Sequence, residues 1–298
     1  MSDVVVLGSA NMDLVVRQPR LPRPGETIWG SGFSAIPGGK GLNQAVAAAR
    51  GGADVAFLGC VGDDAFGSDL RACLRLEGID DRGLERVLGP TGTAHVSVLD
   101  DGENAIVVVP GANHAVDALD DGMLAAISSA RCLVAQLERP VPLVHAAFRA
   151  ARDRGVSTVL TPAPVTVLPP GLLELTDILV PNAGEARELA GADDDLEAAR
   201  MLSRSAATVV MTRGADGAVV AERGEIVSEV PARRVVPVDT TAAGDTFVGT
   251  LVARLVAGSA LPRALEAASI AASIAVTRAG ATTSMPRWEE VSGLLPPR

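Results

Sequence analysis

Short valine-rich apolar runs bounded by glycine alternate along this chain with Ala-, Leu- and Arg-rich stretches of helical period. Strands buried on both faces read as continuous apolar runs, and parallel pairing needs a long return connection between them, usually a helix. The pattern therefore predicts an α/β fold whose central sheet is mainly parallel and covered by helices. Strands are expected over 4–7, 55–58, 132–136, 157–161, 178–181 and 208–212. Helices are expected over 43–50, 68–77, 120–130, 141–154, 184–190, 196–205, 243–257 and 261–277, with Gly51-Gly52 stopping the first.

Two segments break the alternation. Residues 14–17 with 26–36, and residues 93–109, read as antiparallel strands, with Asp100-Asp101-Gly102-Glu103 as a hairpin turn. Strands inserted at roughly 12–37 and 92–110 predict a small sheet projecting from the core as a lid over a site at the strand C-termini. Internal repeats, low-complexity tracts and long linkers are absent, so residues 1–298 are expected to form one domain.

Charge and composition exclude several partners. Asp and Glu number 36 against 26 Lys and Arg, a net charge of −10, and aromatics are 2%. Such a chain repels phosphate backbones and lacks stacking platforms for bases, so no nucleic-acid partner is expected. A nucleotide would be repelled at long range too, so its site must rely on local donors and metal. Cys60, Cys73 and Cys132 form no C-x-x-C pair and read as buried packing residues in a reducing compartment. His95, His114 and His145 lack metal-ligand spacing. The first residues have no basic flank and read as a strand, not a signal peptide. The uncharged stretch 155–173 holds Pro162, Pro164, Pro169 and Pro170, which would break a spanning helix. A soluble, cytoplasmic protein with no membrane partner is expected.

Four strand ends carry candidate chemistry. In Val238-Asp239-Thr240-Thr241-Ala242-Ala243-Gly244-Asp245 a strand is expected to end near Val238 and a helix to start near Ala243. Small residues Ala242, Ala243 and Gly244 let an anion approach the free N–H groups of that helix terminus. Asp245, in the first turn, is placed to take a proton from an attacking hydroxyl. The ordinary reading is a capped helix start with an acidic first turn. Pro37-Gly38-Gly39-Lys40-Gly41-Leu42-Asn43-Gln44 is glycine-rich but lacks the Ser or Thr that follows the lysine of a P-loop, so that reading is rejected. Its glycines allow close approach to a ligand, and Asn43 opens the next helix. Gly8-Ser9-Ala10-Asn11-Met12-Asp13 offers an amide and a carboxylate that can share polyol hydroxyls, or a capped turn. Pro181-Asn182-Ala183-Gly184-Glu185 offers phosphate and Mg²⁺ contacts, or an N-cap with an acidic first turn. Gln136-Leu137-Glu138 and Thr212-Arg213-Gly214 also end strands.

Together these motifs resemble the PfkB (ribokinase) family of carbohydrate kinases, from Gly8-Ser9-Ala10-Asn11-Met12-Asp13 to Val276-Thr277-Arg278-Ala279-Gly280-Ala281. The family signatures are Gly38-Gly39-Lys40-Gly41 with Asn43-Gln44, and Asp239 to Asp245. The resemblance implies a three-layer α/β/α, Rossmann-like fold with a small β-sheet lid. It implies transfer of the ATP γ-phosphate to the primary hydroxyl of D-ribose. Asn11, Asp13, Gly39, Lys40, Asn43 and Glu138 would line the sugar pocket, Asp245 would be the base, and Ala242, Ala243 and Gly244 would form the anion hole. Asn182 and Glu185 would be tied to phosphate and, indirectly, Mg²⁺; Thr212, Gly214 and Gly244 would flank ATP, with Ser269 near the adenine. A monovalent cation, K⁺, would be held by Asp239, Thr241, Ala275, Arg278, Gly280 and Ser284, several through carbonyls. The family also implies a homodimer through the lid strands, where Val15, Ile28, Trp29 and Phe33 offer apolar surface.

Three departures bear on the sugar. Thr161 replaces the asparagine of the family's Asn-Pro-Ala-Pro, and Leu42 replaces a small residue. His95 stands where an aliphatic is usual, and contacts substrate if it points inward or solvent if it does not. Rival readings are a kinase for deoxyribose, fructose or a nucleoside, and a non-catalytic sugar-binding protein on the same scaffold. A dinucleotide oxidoreductase fails because no G-x-G-x-x-G follows the first strand.

Overall fold

Alternate residues of the first strand, β1 (Val4–Leu7), enter different cores: Val4 and Val6 pack into one, Val5 and Leu7 into the other. A strand apolar on both faces requires cover on both sides, which is the three-layer arrangement expected. The computed structural model describes residues 2–101 and 103–296 and has that architecture.

After β1 come β2 (Asn11–Gln18) and β3 (Gly32–Gly38), then α1 (Lys40–Arg50), β4 (Val55–Val61), α2 (Ala65–Leu76) and β5 (Leu84–Arg86). The chain leaves the main sheet again as β6 (Gly92–Leu99) and β7 (Asn104–Val109). It returns through α3 (Asp121–Ser129), β8 (Cys132–Gln136), α4 (Val141–Arg152), β9 (Ser157–Thr161) and β10 (Ile178–Leu179). Then follow α5 (Ala183–Ala190), α6 (Asp195–Leu202), β11 (Thr208–Thr212), β12 (Ala218–Glu222) and β13 (Glu225–Val230). The chain closes with α7 (Ala243–Val256), α8 (Leu261–Ala275) and the short α9 (Trp288–Ser292).

The main sheet runs β13-β12-β11-β10-β9-β8-β1-β4-β5, parallel from β11 to β5, with β12 and β13 antiparallel at one edge. Helices α1, α2, α7 and α8 pack on one face, and α3, α4, α5 and α6 on the other. A second sheet, β3-β2-β6-β7, stands apart. Within it β2 pairs parallel with β6, where antiparallel strands alone were expected. Both strands emerge from the same end of the main sheet, after β1 and β5, and so run the same way.

Other expectations need correction. No strand ends near Val238: residues 231–242 are irregular, and the N–H groups of Val238 and Asp239 donate to the Val276 carbonyl at 2.7 and 3.2 Å. Val236 and Val238 are exposed there, with no strand beside them to complete a ladder. β10 stops before Pro181, which has no N–H to give to a ladder. β3 starts at Gly32, later than position 26. The β12–β13 hairpin, turning at Arg223-Gly224 with φ of 52° and 84°, was not anticipated. The proposed turn at 100–103 includes Gly102, outside the described residues; Leu99 N–H donates to Glu103 O across it at 2.9 Å. Cys60 and Cys132 are buried and Cys73 half-buried, all three free, as packing residues should be. Among the described residues no helix is long and apolar enough to cross a membrane.

One helix contact positions the site. An ideal Cβ on Gly249 of α7 would stand 2.5 Å from Ala47 Cβ and 2.5 Å from Gln44 O of α1, so only glycine permits this approach. The helices therefore pack backbone against backbone, bringing the start of α1 beside the start of α7.

Candidate active site

Asp245 sits in the first turn of α7 and is only 9% exposed. Both its oxygens accept from side-chain amides of α1: Asn43 Nδ2 to Oδ2 at 3.0 Å, and Gln44 Nε2 to Oδ1 at 2.9 Å. Burial pushes its pKa up, against the pull of the Lys40 charge and of the Gln44 and Asn43 hydrogen bonds; the net direction is upward. Ala242, the N-cap, is held at φ 57°, a left-handed conformation rare in a residue with a Cβ. The turn draws the Ala243 N–H to Thr240 O at 3.3 Å, so this donor of the expected anion hole is partly committed. The N–H groups of Gly244 and Asp245 have no acceptor among the described residues. Two free N–H groups at a helix N-terminus can accept an anion; Gly244 is one of the three residues expected there, and the Asp245 N–H takes the place of the committed Ala243 donor.

The sugar-pocket candidates converge on the same place. Asp13 on β2 is pushed up to about 7 by burial, then by the charges of Glu138 and Asp245, so three carboxylates share one field. Gly38 makes room for it: a Cβ there would lie 2.2 Å from Asp13 Oδ2. Gly39 precedes α1 at φ 92°. Lys40 loses by burial, but the charges of Asp245, Glu138 and Glu185 outweigh that and hold its ammonium above its usual pKa. Glu138 accepts from Ser9 Oγ and from the Lys40 N–H at 3.2 Å. Asn43 Oδ1 is buried without a partner among the described residues.

Asn11 is oriented by Asn113, which was missed: Asn113 Nδ2 donates to Asn11 Oδ1 at 2.7 Å, and Asn113 Oδ1 accepts from Ala10 N at 3.0 Å. A lone asparagine in a loop carries no periodicity, and only its burial reveals the role. Gln44, Gln136 and Thr161 were likewise not assigned to the site. Thr161 is the last residue of β9 and accepts from Gln44 Nε2 at 3.2 Å. Leu42 is absorbed into the core. Asp13 pairs with Ala94, so His95 lies on the opposite face of the small sheet, exposed and 3.2 Å from Thr93 Oγ1; the substrate-contact option for it falls.

The nucleotide and metal candidates are less tightly gathered. Asn182 and Glu185 form a reciprocal capping box, with Asn182 Oδ1 accepting from Glu185 N at 2.8 Å and Glu185 Oε2 from Asn182 N at 2.9 Å. Their ordinary role is thus present, while the Glu185 charge still reaches Lys40. Thr212 ends β11 and bridges Asn182, and Gly214 follows at φ 56°. Ser269 on α8 donates to Pro231 O at 3.3 Å. Asp239 ties two loops together, accepting from Thr241 N and Gly280 N at 2.9 Å each. Burial opposes its charge, but these bonds and the Arg17 charge hold its pKa below the usual range. Ala275 O accepts from Arg278 N at 3.0 Å, the Arg278 guanidinium pairs with Glu290, and buried Ser284 Oγ donates to Ala281 O at 2.7 Å. Asp239, Thr241 and Gly280 are therefore in contact, while Ala275, Arg278 and Ser284 make local bonds nearby in the chain.

Comparison with known proteins agrees with this fold. Residues 1–288 match the pfkB family carbohydrate kinase pattern. The chain is 39% identical over 295 residues to a ribokinase of Haemophilus influenzae, covering 96% of each. It is 39% identical over 310 residues to a ribokinase of Schizosaccharomyces pombe, covering 98% of each. A deoxyribokinase of Salmonella typhi is 34% identical over 256 residues, covering 83% of each. Among solved structures, Arabidopsis thaliana ribokinase complexed with ribose and ATP superposes with a TM-score of 0.90, at 32% identity and 98% coverage of each chain. Thermotoga maritima ribokinase also gives 0.90, at 31% identity, covering 98% of this chain and 99% of that one. With the match running over 288 residues and relatives 39% identical over nearly their whole length, this chain belongs to the pfkB family of carbohydrate kinases.

Proposed function

We infer that this chain transfers the γ-phosphoryl group of ATP to O5 of D-ribose, with Asp245 as general base. The observation that carries the reading is a buried carboxylate beside two free N–H groups, facing a cluster of polyol acceptors. Asp245 takes the hydroxyl proton as the oxygen attacks, and the Gly244 and Asp245 N–H groups offset the charge on the phosphoryl oxygens. Asp13, Glu138 and the unpaired Oδ1 of Asn43 accept from the sugar hydroxyls and aim one of them at the base. The ribokinase relatives, and the ribose and ATP named for the Arabidopsis complex, support ribose and ATP as the substrates here.

Mg²⁺ carried with the nucleotide would neutralise phosphate charge, and Glu185, already committed to its capping box, fits contact through water. K⁺ would take carbonyl oxygens of the loops that Asp239 joins, with Thr241, Ala275, Arg278, Gly280 and Ser284 as the residues in question. Thr212, Gly214 and Ser269 would border the nucleotide. The small sheet is read as a lid on a single domain, and its apolar edge as the contact of a homodimer. A cytoplasmic setting fits three free cysteines.

The test is a coupled assay of ADP release with ribose, deoxyribose, fructose and adenosine, with and without K⁺. Ribose should give the highest kcat/KM. A higher value for deoxyribose would transfer the assignment to that sugar, and no sugar-dependent release would leave a binding protein.

A further inference from the structure

The base is not held by substrate-facing residues alone. Gln136, the last residue of β8, is 0% exposed, and Gln44 behind Asp245 is 1% exposed. Gln136 Nε2 donates to Gln44 Oε1 at 2.6 Å, and Gln44 Nε2 donates to Asp245 Oδ1 at 2.9 Å and to Thr161 Oγ1 at 3.2 Å. All three polar positions of the Gln44 amide are thereby used, in one orientation. Flipping the amide would set its oxygen against the carboxylate and its nitrogen against the Gln136 nitrogen, acceptor on acceptor and donor on donor.

Gln136 itself is an expensive residue. Its Oε1 is buried without a partner, and Gly8 must lack a Cβ, which would lie 2.5 Å from that oxygen. The rest of β8, Cys132 to Ala135, is buried and apolar, so a leucine here would remove the unpartnered Oε1 but would strand the Gln44 Oε1 that Gln136 serves. A cost of this kind at a strand end is explained if the other end of the amide is needed.

We propose that Gln136 and Gln44 are positioning residues for the reaction, a two-amide relay from the central sheet that keeps an N–H, and never a C=O, against the base. Asp245 must be ionised to accept a proton. The groups around it pull both ways: Lys40 from α1 favours the charged form, and Asp13 from β2 and Glu138 beyond β8 oppose it, with Glu185 from α5 acting on Lys40. The Gln44 donor is one of two amide bonds that favour the charged form against burial.

The test is the pH dependence of kcat in Gln136→Leu and Gln44→Met, with thermal melts of both. The inference rests on Asp245 being the base, so Asp245→Asn is measured beside them. Gln136→Leu exchanges one buried unpaired oxygen for another, so it should melt close to the parent and keep the sugar KM within about twofold, while kcat falls about tenfold. The acid limb of its kcat profile should move up by about one pH unit, the scale of one charge-assisted hydrogen bond. Gln44→Met removes the donor itself and should move the limb at least as far. A structural role alone would lower the melting temperature and leave the limb in place. If Asp245→Asn is inactive and neither variant moves the limb, the relay is wrong and the base stands. If Asp245→Asn turns over near normally, the base assignment fails first.

Discussion

Asn43 Nδ2 meets Asp245 Oδ2 at 3.0 Å across 202 positions of sequence. That bond joins the two signature segments into one site, and it exists because α1 and α7 touch at Ala47 and Gly249. Asp245→Asn should lose about 10³-fold or more in kcat, the combined scale of a positioned base and its orientation. Calorimetric titration should show ribose still binding to the variant. Near-normal turnover would refute the base role.

Asp13 gives a pH signature of stability. Its carboxyl is raised from 3.8 to about 7 in the folded protein. Between about pH 4 and about pH 7 the unfolded chain releases a proton that the folded protein keeps, so folding stability falls as pH rises through that window. Below it both states are protonated and the effect vanishes. Asp13→Asn should therefore melt higher than the parent at about pH 7.5, with the gap closing by about pH 4. The same variant should bind ribose more weakly, since it loses an acceptor. Melting curves across pH read the first effect, and sugar KM reads the second.

Arg50 fastens the C-terminal loop. Its guanidinium pairs with Glu77 at 2.6 Å and donates to the Thr282 and Met285 carbonyls at 2.6 and 2.8 Å. The pair is largely buried, and removing one partner of such a pair costs about 3 kcal/mol. Arg50→Met should lower stability by about that amount in urea unfolding and speed hydrogen exchange over residues 281–285. Unchanged exchange there would mean the loop is held by other contacts.

The small sheet ends in an unpaired edge, β7, along which Ile106, Val107, Val108 and Val109 are all exposed, Val107 by 65%. Trp29, in the β2–β3 connection of the same sheet, is 93% exposed. Apolar edges of this sort are normally covered. Val107→Lys should turn a dimeric parent into a monomer in light scattering. A parent that is already monomeric at working concentration would remove the dimer reading.

Much of the fold is written in local periodicity. The expected strands 132–136, 157–161 and 208–212 coincide with β8, β9 and β11, and the helices fall within a few residues of their expected ends. Val-rich runs must be buried on both faces wherever they sit, so their burial needs no knowledge of their partners. The segment before Asp245 misled because Val235, Val236 and Val238 look like a strand, and a strand exists only if a neighbour supplies a ladder. The parallel pairing of β2 with β6 was hidden for the same reason.

Asp245 was legible as a carboxylate at a helix start, and Asn11, Asp13, Lys40, Asn43 and Glu138 became its expected companions through the family resemblance of their motifs. Gln44, Gln136, Thr161 and Asn113 acquired their roles only in three dimensions: the Gln136–Gln44 bond spans 92 positions, Gln44–Thr161 117 and Asn113–Asn11 102. The sequence by itself determined most of the strands and helices and which residues could do the chemistry, because period and residue type are local properties. The tertiary structure alone decided which amide faces the base and which N–H groups stay free, because a hydrogen bond depends on what packing brings within about 3 Å.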